Sequence, residues 1–283
     1  MRAAVLGSPI GHSLSPELHR AAYAALALTD WSYEAIECDE AGLPRLLASL
    51  GPDWAGLSLT MPLKRAVLPL LEQADKLVTE VGAANTVVLA GGTAAGYNTD
   101  VPGMVTALAE AGVRADCPVL ILGGGATACS AVAALHRAGA QQATVAVRNP
   151  VTAERLLAVA GRAGITVDLV TFGPGPRRDD WLAAGWDRPW SVLLSTVPGQ
   201  AADGYAELLA TGQLRAGAVF DVVYQPWPTR LAAAGAAAGL PVVGGFELLL
   251  HQAAEQVRLM TGRPAPVEAM RAAGLAALAA RGG

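Results

Sequence analysis

Two lysines stand among eighteen arginines in this 283-residue chain, and one of them, Lys64, lies where an amine has chemistry to do. Arginine stays protonated in proteins and cannot exchange a proton with a substrate, whereas a lysine beside a carboxylate can. Lys64 closes the run Ser58-Leu-Thr60-Met-Pro-Leu-Lys64. Three further polar clusters interrupt apolar sequence in the same way: Ser13-Leu-Ser15, Asn85-Thr86 and Asn98-Thr99-Asp100. Hydroxyls, amides, one amine and one carboxylate together suit a small polyhydroxylated acid, with Lys64 and Asp100 as the pair that moves a proton. Lys76, on a polar helix face, reads as a solvated residue.

A second constellation has the form of a dinucleotide site. Gly123-Gly124-Gly125-Ala126-Thr127-Ala128 matches G-x-G-x-x-A, follows the apolar run Val119–Leu122 and opens a helix. The first glycine permits the turn, the second lets backbone approach a pyrophosphate, and the small Ala128 allows close helix–sheet packing. Free N–H groups at the helix start then hold phosphates. An ordinary β–α turn in a glycine-rich chain is the competing reading. The next strand ends Val145-Ala-Val147-Arg148-Asn149, with no Asp or Glu before Glu154, where an NAD site usually carries an acid. Arg148 is placed for charge-assisted bonds to a 2′-phosphate, which favours NADP.

The elements that must position these residues alternate. Strands are expected over 3–6, 31–38 and 56–60, with helices over 16–28 (Ser15 as N-cap) and 40–50. The rhythm then repeats more strongly, with strands over 119–122, 143–147, 165–170, 191–195, 218–222 and 240–243. Helices are expected over 126–139, 152–163, 247–262 and 266–280, and 174–188 reads as an irregular loop. This βαβα order predicts α/β lobes built on parallel or mixed sheets. The length suggests two of them, divided near 100–107.

Composition narrows the function classes. Hydrophobic content of 53% with 16% charge excludes a disordered chain, and a net charge of −4 argues against an electrostatic nucleic-acid binder. Cys38, Cys117 and Cys129 lie far apart with no metal-ligand spacing, so neither a disulfide framework nor a metal site is expected. The uncharged stretch 117–135 is cut by three glycines and reads as strand, turn and helix, with no membrane anchor. With no signal peptide in view, a reduced cytoplasm is the expected setting. His12 and His19 read as loop or capping residues, His136 as exposed or packed, and His251 as facing the core.

The motifs, in number and order, resemble the shikimate dehydrogenase family nearly end to end. They are Gly7-Ser-Pro-Ile-Gly-His-Ser-Leu-Ser-Pro16, Thr60-Met-Pro-Leu-Lys64, Gly82-Ala-Ala-Asn-Thr86, Asn98-Thr-Asp100 with Gly103, the glycine turn, Asp221-Val-Val-Tyr-Gln-Pro226, 245–252 and Met260-Thr-Gly262. The resemblance implies NADP-linked, reversible reduction of 3-dehydroshikimate to shikimate, and a two-domain α/β fold. A discontinuous substrate domain would comprise 1–102 and 245–283, and a Rossmann-type, doubly wound NADP-binding domain 103–244. It implies that Ser13, Ser15 and Tyr224 hold the substrate carboxylate. Thr60, Asn85, Asp100 and Gln252 would hold ring hydroxyls, with Thr99 lining the pocket and Lys64–Asp100 as acid/base.

On the cofactor side the resemblance implies residues 123–128, Arg148, Ser195, Thr196, Val222, Gly245 and Leu248. Gly245 would let backbone approach the nicotinamide, against which Leu248 would pack. Ser58 stands where the family usually has Asn, so its substrate contact would pass through water or be lost. Substrate and cofactor are the expected partners, with no nucleic acid or membrane, in a monomer or homodimer. A quinate/shikimate or aminoshikimate-type dehydrogenase using NADP or NAD, and a silent nucleotide-binding sensor, are the alternatives; the retained Lys64 and Asp100 argue against the sensor.

Overall fold

Residues 3–7 of the first strand are buried without exception, which requires cover on both faces and places the strand inside a sheet. The computed structural model describes residues 1–115, 118–171 and 188–281; Cys117 and nearly all of the irregular stretch 174–188 lie outside them. The chain divides into two compact units, Met1–Gly103 with Leu249–Gly283, and Met104–Leu248. Gly103 therefore belongs to the first unit, and the return point is Leu249 rather than 245.

The first unit begins with β1 (Arg2–Gly7), α1 (Ser15–Ala25), β2 (Ser32–Glu37), α2 (Leu43–Ala48), β3 (Trp54–Leu59) and the single turn α3 (Leu63–Ala66). It continues through β4 (Gln73–Ala74), α4 (Lys76–Val81), β5 (Thr86–Ala90), β6 (Thr93–Tyr97) and the start of α5 (Asp100–Glu110). The sheet order is β2-β1-β3-β5-β6-β4, with β1 parallel to β2 and β3, and β5 antiparallel to both β3 and β6. The β5–β6 hairpin is not expected from the βαβα rhythm. It turns on Gly91-Gly92, both at positive φ (59° and 81°), the conformation a two-residue hairpin loop needs.

Two helix boundaries differ from expectation for local reasons. α1 stops at Ala25 because Ala27 takes a left-handed conformation (φ 54°), and the Leu28 N–H donates to the Tyr23 carbonyl at 2.9 Å. Its N-cap is Leu14 with no side-chain cap, so the Ser15 hydroxyl does not cap the helix.

The second unit carries β7 (Val119–Leu122), α6 (Ala126–Arg137), β8 (Gln142–Val147), α7 (Glu154–Ala163), β9 (Thr166–Thr171) and β10 (Val192–Ser195). After these come α8 (Asp203–Ala210), β11 (Val219–Asp221), α9 (Arg230–Ala237) and β12 (Val242–Gly244). The chain ends with α10 (Gly245–Thr261) and α11 (Val267–Arg281). The second sheet runs β12-β11-β10-β7-β8-β9, every pairing parallel, which is the doubly wound dinucleotide-binding order with its switch point between β7 and β10.

Gly245 has a backbone reason to be glycine inside this unit. A Cβ there would lie 2.1 Å from the Val222 carbonyl oxygen and 2.4 Å from its carbon. Backbone cannot swing aside as a side chain can, so Gly245→Ala is expected to destabilise the protein by about 1–3 kcal/mol. A lower urea midpoint at unchanged slope is the measurement that checks it.

Candidate active site

The polar clusters of the first unit meet around one asparagine. Asn85 enters β5 from the turn after α4, and its side chain is buried at 1% exposure. Its Nδ2 donates to Asp100 Oδ1 at 2.8 Å, Thr99 Oγ1 at 2.9 Å and Gln252 Oε1 at 3.3 Å. Its Oδ1 accepts from the Thr99 backbone N–H at 2.8 Å and from the Thr86 hydroxyl at 3.0 Å.

Asp100 occupies the first turn of α5, where a carboxylate meets the positive end of the helix dipole. Asn98 sets that helix start: its Oδ1 accepts from Val101 N–H at 3.2 Å, and its Nδ2 donates to the Ala83 carbonyl at 2.9 Å. Lys64 Nζ reaches Asp100 Oδ2 at 2.6 Å, with the lysine side chain 17% exposed and the carboxylate 6%. The lysine is anchored from its own backbone, since the carbonyl of Lys64 accepts from Ala84 N–H at 2.8 Å. An ammonium at the rim of a buried carboxylate, with one face to solvent, can hold a substrate oxygen and exchange a proton with it.

Other expected residues of this unit lie at different depths. Thr60 is half-buried beside the exposed Met61, and Gln252 is buried on α10. Ser13 Oγ accepts from Ser15 N–H at 3.2 Å, and Ser15 is buried. Their loop is tied down by Arg281 from the last turn of α11. Its guanidinium donates to the carbonyls of His12 (2.8 Å) and Ser13 (3.3 Å) and to Glu17 Oε1 (2.7 Å).

Ser58, expected to reach substrate through water or not at all, makes its hydrogen bonds to protein. It is buried at 3%, accepts from Tyr33 Oη at 2.6 Å and donates its one proton to Gln256 Oε1 at 2.8 Å. Its hydrogen bonds point into the core. His19 also departs from its loop-or-capping reading: it is fully buried in α1, stacked on Tyr33 (centroids 3.9 Å apart, planes 14° apart), with Nε2 3.3 Å from Gln256 Oε1. Lys76 is exposed, and His251 is buried.

Gln256 is not among the residues that the motifs single out. The signal for it was present, because Gln252 and Gln256 stand four apart and so share one face of α10.

In the second unit, Gly123 follows β7 at φ 107°, and a Cβ there would strike Thr196 Oγ1 at 2.5 Å. The two loops at the switch point thus abut through a glycine. Gly125 has open space where a Cβ would be and starts α6 with no side-chain cap, leaving the first N–H groups of a 12-residue helix for a ligand. Ala128 is buried against the sheet, and Thr127 is half-buried. Arg148 is exposed at the end of β8, and Asn149 is committed to a turn through Val151 N–H. This cradle fits a dinucleotide phosphate.

Ser195 is fully buried, with no hydrogen-bond partner for its hydroxyl among the described residues. Thr196 Oγ1 donates to the Leu122 carbonyl at 2.7 Å. Tyr224 lies in the segment after β11. Asp221, the last residue of β11, accepts from Thr229 Oγ1 (2.7 Å) and Val223 N–H (3.2 Å), and burial pushes its carboxyl up in pKa. Val222 is half-buried and Leu248 buried.

A doubly wound sheet with a glycine turn, on one chain with a lysine–carboxylate pair, defines a nucleotide-linked oxidoreductase. Residues 5–87 match the model of the shikimate dehydrogenase substrate binding domain, and residues 245–273 that of the shikimate 5'-dehydrogenase C-terminal domain. The chain is 38% identical to the shikimate dehydrogenase (NADP(+)) of Citrifermentans bemidjiense, over 96% of its own length and 93% of that protein's. The crystal structure of Mycobacterium tuberculosis shikimate dehydrogenase superposes with a TM-score of 0.86 at 43% identity, covering 97% of this chain and 99% of that one. Shikimate 5-dehydrogenase from Thermus thermophilus, solved with NADP(H) and shikimate, gives a TM-score of 0.80 at 32% identity, with 98% and 99% covered. The chain belongs to the shikimate dehydrogenase family.

His19 gives the first unit a pH dependence. Burial pushes its pKa from the usual 6.5 down to about 3, against a smaller opposing effect of the Gln256 hydrogen bond. Below the ordinary value the unfolded chain takes up a proton that the folded chain refuses. The contribution of neutral His19 is therefore complete above pH 6.5 and is lost progressively as pH falls toward 3, by about 1 kcal/mol per pH unit. Urea unfolding between about pH 7 and about pH 5 is expected to show this slope, and His19→Phe, which keeps the stack on Tyr33, to flatten it.

Proposed function

We propose that the chain catalyses the reversible, NADP(H)-linked interconversion of 3-dehydroshikimate and shikimate, a step in the biosynthesis of chorismate and the aromatic amino acids. The observation that carries this reading is the 2.6 Å Lys64–Asp100 contact, held from behind by Asn85, in a chain whose other unit offers a dinucleotide cradle. Bound NADP(H) supplies or takes up the hydride at the ring carbon.

The protein's own residues align the ring and handle the proton. In the reducing direction the Lys64 ammonium gives a proton to the ring-carbonyl oxygen as that carbon is reduced. In the oxidising direction the neutral amine takes the hydroxyl proton. Asp100 keeps Nζ in place in both directions, and its carboxylate balances the ammonium charge. Ser13 and Ser15 hold the substrate carboxylate on a loop ordered by Arg281. Thr60, Asn85, Asp100 and Gln252 take ring hydroxyls, and Thr99 lines the pocket, while Ser58 acts from inside the core.

Residues 123–128 and Arg148 hold the cofactor, the arginine on the 2′-phosphate that distinguishes NADP from NAD. Gly245 and Val222 serve through their mutual backbone packing.

Absorbance at the nicotinamide band, with shikimate or quinate against NADP⁺ or NAD⁺, tests the assignment. Reduction is expected with shikimate and NADP⁺; turnover only with quinate, or only with NAD⁺, would overturn it. In the same assay Lys64→Ala is expected to lower kcat by roughly 10²–10⁴-fold while KM for shikimate changes far less. A fully active variant would remove Lys64 from the acid/base role.

A further inference from the structure

Behind the asparagine that organises the site, buried side chains form a hydrogen-bond chain with one direction. Tyr33 Oη donates to Ser58 Oγ (2.6 Å) and Ser58 Oγ to Gln256 Oε1 (2.8 Å). Gln256 Nε2 donates to Thr86 Oγ1 (3.0 Å), Thr86 Oγ1 to Asn85 Oδ1 (3.0 Å), and Asn85 Nδ2 to Asp100 Oδ1 (2.8 Å). Gln256 Nε2 also lies 3.3 Å from the Asn85 backbone carbonyl. Each hydroxyl has a single proton, so the direction at one link dictates the direction at the next.

Gln256 is the link that can be oriented either way in isolation, and here both ends of its amide are answered. Ser58 and His19 face its oxygen, and Thr86 and Asn85 its nitrogen. It is 1% exposed and flanked by the fully buried Ala253 and Val257. An apolar side chain would fill that space without the cost of drying an amide.

We infer that Gln256 is a positioning residue: it commits the Thr86 proton to Asn85 Oδ1, and so holds the Asn85 amide with its nitrogen toward Asp100 and the carboxylate in register with Lys64. A flipped Asn85 would set its carbonyl oxygen against the Asp100 carboxylate. The Thr99 backbone N–H holds the same Oδ1 independently at 2.8 Å, so removing Gln256 loosens the asparagine without freeing it. The role rests on the shikimate dehydrogenase reading for its catalytic consequence, and on geometry alone for its effect on Asn85.

Gln256→Met keeps the unbranched shape and removes the hydrogen bonds. Its expected effect is a fall in kcat of about tenfold, the low end of what partners one layer behind a reacting group contribute, with a displaced pH profile of kcat. Thr86→Val cuts the same path one link on. If the path is shared, the double variant loses no more than the worse single variant; losses that multiply overturn the inference. Leu43→Ala, which opens a cavity elsewhere in this unit's core, controls for lost stability and is expected to keep the wild-type kcat and pH profile below its melting range.

Exchange of the Asn85 side-chain amide protons, followed by ¹⁵N NMR, reads the geometry without turnover. Protection in the wild type that falls in Gln256→Met supports the inference, and unchanged protection overturns it. Wild-type inactivity on shikimate overturns the proposed function instead. Should Gln256→Met not fold, Thr86→Val alone decides by the same two readouts.

Discussion

The structure of the first unit is organised around the need to keep a nearly dry carboxylate ionised beside an ammonium. Taking Asp100 out of water costs several kcal/mol unless each of its oxygens is answered. Lys64 answers one at 2.6 Å and Asn85 the other at 2.8 Å. That requirement propagates outward. Asn85 must present its nitrogen, so its oxygen needs donors, and Thr99 and Thr86 supply them. Asp100 must sit at a helix start, so Asn98 shapes the turn before α5. Lys64 must approach from a short turn, which the buried Leu63 and the Ala84–Lys64 backbone bond pin to the sheet.

The antiparallel strand is what makes this geometry available. In a wholly parallel sheet the chain leaves each strand at the same edge and returns through a crossover. Here β5 runs back beside β3, bringing Thr86 directly opposite Ser58. It is this cross-strand pair that Gln256 bridges from α10. A segment late in the sequence thereby braces residues from its first hundred. The second unit meets a simpler demand by simpler means: parallel strands, a glycine at φ 107°, and a helix that starts with no side-chain cap. One lobe is specified by side-chain chemistry and the other mainly by backbone.

Particular residues show where reading the chain succeeds. The apolar run at Val119–Leu122 followed by three glycines marks β7, its turn and α6, because strand burial and helix initiation are local properties. Lys64 and Asp100 stand out by residue type against an arginine-rich, lightly charged background. The β5–β6 hairpin escaped because Gly91-Gly92, its turn signal, lies in a chain where glycine is common. Ser15 looks like a helix cap in sequence, yet its hydroxyl does not cap α1. Ser58 looks like a shortened substrate ligand until Tyr33 and Gln256 are seen to use it.

Local sequence is enough to read the alternation of elements, the doubly wound nucleotide lobe, Lys64 and Asp100 as the candidate pair, and the family. These follow from periodicity, from residue type and from short motifs, all of which act over a few residues. Which polar residues meet, and in which direction their protons point, emerges only on folding. Asn85 and Gln252 are far apart in the chain, as are His19 and Gln256, yet each pair is within hydrogen-bond reach. Hydrogen bonds are short-ranged and directional, so their pattern comes into being only when strands set the register and a distant helix lays its polar face against them.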